Sequence, residues 1–317
     1  MKNIYLVLTI ILIFLMLILP VFAIGGNAKT EPSPTPALDS EKGKVVLFDA
    51  SLNKTVSLDI EDYLVGVLAA EMPAAYHDEA LKAQAVAAYT YTLYTAKQNS
   101  DKEYDITTDS KTNQGYISIE KAREGWGDNA DTLEKKLRDA VKAVFGEYIT
   151  YDNQPILAAF HSMSSGKTEN SADVWGKELP YLKSVDSMGD LLCDDYLCTV
   201  QIPLADFVAA LNDKCSFSGE AQSYIKNIER SETGTVKSVT VCESTLSGND
   251  FRLALGLRSA NFDIVFSSDF FSITTRGYGH GVGLSQHGAE YMAQNGSTYK
   301  EILGWYYSGC SLSKSDL

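Results

Sequence analysis

IEDYLVGVLAAEMPAAYHDEALKAQAVAAYTYTLY, residues 60–94, reads as two helices parted by Met72-Pro73. Asp59 stands where it can cap the first helix, and Asp62 lies in its first turn. Leu64, Val67, Leu68 and Glu71 then recur at i, i+3, i+4 and i+7, the spacing of one helical face. Glu71 therefore takes a place where the pattern asks for another leucine. Pro73 drives Met72 out of the α region, so the helix is expected to stop close to Glu71. A carboxyl on an apolar face at a helix break is costly to ionise, and desolvation raises its pKa. A carboxyl partly protonated near neutral pH meets the requirement for a general acid. The alternative is a glutamate that fans out of the helix end into water. The second helix is expected over Asp78–Gln98, with Leu81, Gln84, Ala85, Ala88, Tyr89 and Thr92 along one side. Its small residues admit another element closely. Gln84 and Tyr89 on that side are candidate sugar contacts or satisfied core groups.

With 317 residues, 45% of them hydrophobic, the chain has ample material for a core. A net charge of -14 argues against nucleic acid as a partner and against bulk attraction to anionic lipid or wall polymer. A polyanionic ligand would need a local basic site. After Lys2 no charged side chain occurs through residue 28, and residues 4–24 are almost wholly apolar. That length suits a membrane span better than the short core of a cleaved signal. Residues 1–24 are therefore expected to be an uncleaved signal anchor with the remainder outside the cytoplasm, Val21 and Ala23 marking the alternative cleavage site. Residues 25–43, with GlyGly and EPSPTP, read as a linker. Five cysteines follow, and Cys193 and Cys198 are near enough in sequence to pair across a turn. The four histidines show no metal-ligand spacing such as HExxH, so no metal or other cofactor is expected.

The body, residues 44–311, reads as α+β: mainly antiparallel strands with packed helices, behind one N-terminal transmembrane helix. Strands are expected at 45–48 and 54–58, and two more around a polar turn within 104–119. An amphipathic helix follows at 131–145, stopped by Gly146. A hairpin over Asp152-Asn153 joins 148–150 to 155–161. From about 196 to 267 the texture changes to short strands, helices at Leu204–Leu211 and 247–257, and a Ser/Gly-rich passage. This stretch suggests an inserted subdomain. A helix at 285–294, stopped by Asn295-Gly296, precedes a final helix capped by Ser297 or Thr298.

Two stretches imitate nucleotide motifs. SGKT at 165–168 lacks the first glycine of a phosphate-binding loop, since His161 stands there. The glycines around His280 do not open a βαβ unit. Their value lies elsewhere: Gly277, Gly279, Gly281 and Gly283 alternate through a loop that no ordinary strand tolerates, and leave main-chain groups accessible. Tyr278, His280, Ser285, Gln286 and His287 add polar or aromatic edges suited to a sugar chain. A tight structural turn is the other reading. HSMSSGKTE, residues 161–169, offers His161, Ser162, Ser164 and Lys167 in a dense polar turn. Without GxSxG a serine nucleophile is disfavoured. Hydrogen bonding to substrate, with Lys167 meeting a carboxylate, is the better reading, beside plain loop structure.

EDYLVGVLAAEMPAAYHDEALKAQAVAAYTY, FHSMSSGKTENSADVWGKELPYLKSV, LGLRSANF and GYGHGVGLSQHGAEYMA together resemble the four blocks of the stage II sporulation protein D family, which includes the amidase enhancer of vegetative walls. The resemblance spans nearly all of the exported part. It implies a membrane-anchored, wall-facing lytic transglycosylase of the mother-cell side. Such an enzyme cuts glycan strands already stripped of stem peptides by a partner amidase, and the pair drive forespore engulfment. The family's catalytic acid falls in AAEMP, which carries over to Glu71. Read from the residues themselves, the candidate substrate lining is Gln84, Tyr89, His161, Ser162, Ser164, Lys167, Tyr278, His280, Gly281, Ser285 and Gln286. The family's paired glycines before Lys-Thr are replaced by Ser165-Gly166. Some members hold zinc through Cys and His in the segment matching 105–116, but DITTDSKTNQGY has neither. One carboxylate that first gives and then takes a proton makes the acid pair of a hydrolase unnecessary. The rivals are a non-catalytic peptidoglycan-binding activator of an amidase, and a hydrolase with a second acid such as Asp173.

Overall fold

In the computed structural model, residues 43–109 and 112–315 are described. The apolar stretch 4–24 lies outside them, as does the linker apart from Gly43. Among the described residues no helix is long and apolar enough to cross a membrane.

Strands β1 (Lys44–Asp49) and β2 (Lys54–Asp59) form an antiparallel hairpin, turning at Asn53 in the left-handed region. Helix α1 (Ile60–Glu71) starts at once from β2. Asp59 occupies the N-cap position, but its side chain makes no capping bond; the Ile60 N–H donates instead to Gly43 O. The stop is as expected: Met72, before Pro73, is extended. Helix α2 (Asp78–Gln98) is buried on most of its circumference and packs against α1, later helices and a strand. Its run of alanines answers to a helix enclosed on every side rather than one with a single apolar stripe.

The two strands expected in 104–119 reduce to one. β3 (Ile106–Thr107) pairs parallel to β1. Beyond it, Asn113 Oδ1 accepts from Thr107 N, and Thr112 and Asn113 N–H groups turn back to Asp109 O. Polar side chains thus hold a loop where a ladder would need free backbone. The chain then enters helix α3 (Ile119–Trp126), capped by Ser118. Helix α4 (Ala130–Ala143) lays Leu137 and Val141 against α1 and α2. β4 (Glu147–Tyr151) and β5 (Gln154–Pro155) turn over Asp152 and Asn153, both at positive φ. The expected strand 155–161 divides there, because Pro155 has no N–H to extend the ladder. Its far end, β6 (Phe160–His161), finds a different partner.

After the short helix α5 (Ser171–Trp175), β7 (Leu197–Pro203), helix α6 (Leu204–Leu211), β8 (Ile225–Arg230), β9 (Val236–Val241), β10 (Ser244–Ser247), helix α7 (Gly248–Ala254), β11 (Phe262–Ser267) and β12 (Phe270–Arg276) follow. They make two three-stranded antiparallel sheets, β10-β9-β8 and β11-β12-β7. Phe207, Phe251, Phe262, Phe271 and Val239 form a core here separate from the one around α2. The Ser/Gly-rich passage conceals β8.

β13 (Leu284–Ser285) pairs parallel to β6 and leads into helix α8 (Gln286–Gln294). Thr298, not Ser297, caps helix α9 (Tyr299–Tyr306), in a capping box with Glu301. β14 (Ser311–Lys314) adds to β4. All five cysteines are free thiols, Cys193 and Cys198 among them, although these two are near enough in sequence to pair. Cys193 Sγ lies 3.0 Å from His287 Nδ1 instead.

Candidate functional site

Glu71 is the last residue of α1, partly buried at the helix break. The Gly115 N–H donates to its Oε1. A β-carbon at position 115 would stand 2.9 Å from that oxygen, so only glycine lets the loop come this close. Gln286, first residue of α8, lies against the same carboxyl. Burial raises the pKa of Glu71 above its ordinary 4.5, and the Gly115 N–H and the nearby Gln286 amide, whose Nε2 is buried without a hydrogen-bond partner, oppose the rise. No charged neighbour among the described residues contributes to the shift. Its own charge is felt by Tyr91 on α2, whose ring meets Phe160 of β6 edge-on at 6.4 Å.

From Phe160 the site continues into the glycine loop. Gly277, Gly279, Gly281 and Gly283 all have positive φ, between 74° and 111°. At Gly283 a β-carbon would lie 2.1 Å from Ala159 O, which is impossible without moving backbone. This contact lets β13 pair with β6, and so brings Gln286 to Glu71. The Val282 peptide is bracketed by two imidazoles. His161 Nδ1 stands 3.2 Å from Val282 O, and Val282 N donates to His280 Nδ1 at 3.0 Å. A carbonyl only accepts, so His161 carries its proton on Nδ1 and its Nε2 is a bare acceptor. That Nε2 is buried without a partner. Desolvation pushes His161 down to about 3 and His280 to about 4, so both rings are neutral.

The predicted lining residues divide into three groups. Gln286 stands near the Glu71 carboxyl, His161 and His280 bond the main chain of Val282 next to Gly281, and the half-exposed Tyr278 pairs with Met163 across the loop. Ser164 and Ser285 are buried and serve a structural purpose instead. Both hydroxyls donate to Asp190, at 2.5 and 2.7 Å, and the Ser164 N–H donates to it at 2.7 Å. Asp190 thereby ties the HSMSSGKTE turn to the glycine loop. Ser162 supplies its carbonyl to His287 N at 3.0 Å. Lys167 is paired with Asp186 at 3.0 Å. Tyr89 is buried with its hydroxyl on Ser315, and Gln84 is fully buried inside the helical core with neither amide atom partnered. Asp173 is bound to Lys237 at 2.7 Å, which holds its carboxyl below the usual range. It is thus an ion-pair partner rather than a proton-holding acid.

Three contributors escaped the sequence reading. Gly115 sits in a stretch taken for a strand, and Asp190 belongs to a 3₁₀ turn, Met188–Leu192, with no motif. Trp175 ends α5, and its ring lies 5.3 Å from that of His280. A lone tryptophan near a glycine turn was the only available signal.

A family model described as "Stage II sporulation protein" matches residues 49–151. The chain is 35% identical over 305 residues to stage II sporulation protein D of Bacillus subtilis (strain 168), covering 92% of this chain and 88% of that one. It is also 35% identical to stage II sporulation protein D of Bacillus amyloliquefaciens, over 89% of this chain and 82% of that one. Similarity extends to the amidase enhancer of Bacillus subtilis (strain 168), at 28% identity over 79% of this chain but only 40% of that protein.

Proposed function

This chain belongs to the stage II sporulation protein D family, and on that premise we propose that it is a lytic transglycosylase acting on peptidoglycan during sporulation. The observation that carries the reading is the Glu71 carboxyl, made reluctant to ionise by burial and, among the described residues, shifted by no charged neighbour. A glycosidase that adds water from outside generally needs two carboxyls, whereas an internal hydroxyl can be handled by one.

In the proposed reaction, protonated Glu71 gives its proton to the glycosidic oxygen between N-acetylmuramic acid and N-acetylglucosamine. The C–O bond breaks, and positive charge at the anomeric carbon is relieved by the sugar's own acetamido oxygen. Glu71, now a carboxylate, is stabilised by the Gly115 N–H, with the unpartnered Nε2 of nearby Gln286 available as a second donor. It then takes the proton of the muramyl C6 hydroxyl, whose oxygen closes the anhydro ring on the anomeric carbon. The acid is restored without water. Gly115 and Gln286 thus favour the charged form after the first step, while burial favours the neutral form before it. The proposed setting is the wall-facing side of the mother-cell membrane, with the strand stripped of peptides by a partner amidase. The amidase-enhancer relative supports an association of that kind.

The test is digestion of peptide-free glycan strands by the full-length protein in detergent, and by Glu71→Gln, read by mass spectrometry. Anhydromuramyl ends from the wild type alone are expected. Reducing ends would mean hydrolysis. Intact strands bound equally by both proteins would mean a non-catalytic activator.

A further inference from the structure

Several cations around the glycine loop are neutralised. Lys167 pairs with Asp186, Arg258 with Asp195 at 2.8 Å, and Arg276 with Asp263 at 2.6 Å. Arg252 on α7 is different: among the described residues its guanidinium meets no carboxylate. Nε donates to Leu257 O at 3.2 Å and Nη1 reaches Asn249 Oδ1 at 3.4 Å, which leaves Nη2 without an acceptor. The residue is half-buried. Leu257 N donates to Arg252 O, and Gly279 N to Arg258 O, so a short backbone path joins its turn to the glycine loop. Its charge reaches Tyr278, His161 and His280. Both histidines are neutral there and do not compete for an anion. Trp175, 37% exposed, stands 5.3 Å from His280 and can lie against the C–H face of a sugar, and Tyr278, 47% exposed, carries the Arg258 guanidinium 4.7 Å over its ring. His161 Nε2 waits nearby for an N–H or O–H donor.

We propose that Arg252 binds the lactyl carboxylate of a muramic acid residue and so reads whether the stem peptide has been removed. The proposal rests on the glycan-strand reading above. While the peptide is attached, the lactyl carbonyl is a neutral amide. Hydrolysis of that amide, water adding to the carbonyl carbon and the amine leaving, unmasks a carboxylate that matches the guanidinium fork. In a protein of net charge -14, a polyanionic strand gains nothing from the long-range field, so a cation fixed locally by its own hydrogen bonds, as Arg252 is, decides the preference.

The probes are peptide-free strands with free lactyl carboxylates, and the same strands converted to methylamides. Binding of each to the full-length protein in detergent is measured for wild type, Arg252→Gln and Arg252→Lys. Wild type is expected to prefer the free carboxylates by roughly 10- to 100-fold, the range of a hydrogen-bonded charge pair. Arg252→Gln should bind both strands equally, at the wild type's level for the methylamide, and Arg252→Lys should recover part of the preference. A purely structural role would weaken both strands alike and leave the ratio intact; a retained ratio in Arg252→Gln overturns the proposal. Equal binding of the two strands by wild type overturns it too, and needs no variant to fold. Failure of wild type to cleave either strand would refute the transglycosylase reading while leaving the binding ratio to decide the role of Arg252.

Discussion

Replacing Gly115 with alanine tests the proposed acid without touching it. The added β-carbon would stand 2.9 Å from Glu71 Oε1 and 3.4 Å from both Glu71 Cδ and the Ala70 β-carbon. Ordinary contact begins near 3.4 Å, so the carboxyl must withdraw by about half an ångström, a displacement large enough to disturb the alignment that proton transfer needs. The Gly115 N–H bond, which favours the charged form, is weakened at the same time. Release of anhydromuramyl ends should fall about 10- to 100-fold, since misplacement approaching 1 Å can cost about 10²-fold. The falling limb of the pH profile of kcat/KM, which reports loss of the acid's proton, should move to higher pH. Stability should change by less than about 1 kcal/mol, because the obstructing atom is the end of a flexible side chain. Gly125→Ala, where a β-carbon meets nothing within 4 Å, is the control with unchanged activity. Wild-type kcat/KM and an unmoved limb in Gly115→Ala would refute the reasoning.

Asp190→Ala strands three donors on Ser164 and Ser285, and thermal melting should report a loss of about 2–4 kcal/mol; an unchanged melt would show that the two loops are held by other means. Gly283→Ala should fail to fold, whereas Gly256→Ala, also at positive φ but in open space, should cost only about 1 kcal/mol by denaturant titration. His161 and His280 refuse protons that the unfolded chain accepts, so stability should be lost as pH falls from about 6.5 towards 4. The slope is at most about 1.4 kcal/mol per pH unit for each histidine, and His280→Gln should flatten it. Glu71 has the opposite sign. Its folded-state pKa lies above 4.5, so the folded protein holds a proton that the unfolded chain releases, and stability falls as pH rises through that window. Glu71→Gln should therefore melt higher than wild type by an advantage that grows above pH 4.5, while cleavage drops about 10²–10⁴-fold.

The helix pair around Glu71 was legible because Pro73 and the heptad-like spacing act locally, and the structure ends α1 at the expected residue. The four glycines were legible for a similar reason: each requires a backbone conformation that other residues resist. What the sequence withheld was long-range. Ser164 and Ser285 look like ligands until Asp190 is placed between them, and no spacing links positions 164, 190 and 285. Gln84 and Tyr89 share a helical face, but a face says nothing of what covers it, and here several elements do. Asp59 illustrates a smaller limit: the residue type, position and extended backbone all suit a cap, yet its side chain makes no capping bond. Gly115 was hidden because a loop of polar residues with side-chain-to-backbone bonds has no period to read.

Strand β4 has consequences for the order in which the protein assembles. Its two sheet partners are made at very different times: β5 follows within a few residues, whereas Thr150 Oγ1 reaches Ser311 O only across a separation of 161. Until then the nascent chain carries Tyr148, Ile149 and Thr150 with one edge unclaimed, a template for self-association. Contacts this distant also slow closure, since a large loop must be brought together before any pairing rewards it. The β14-β4-β5 sheet is thus completed only once residues 311–314 have been made.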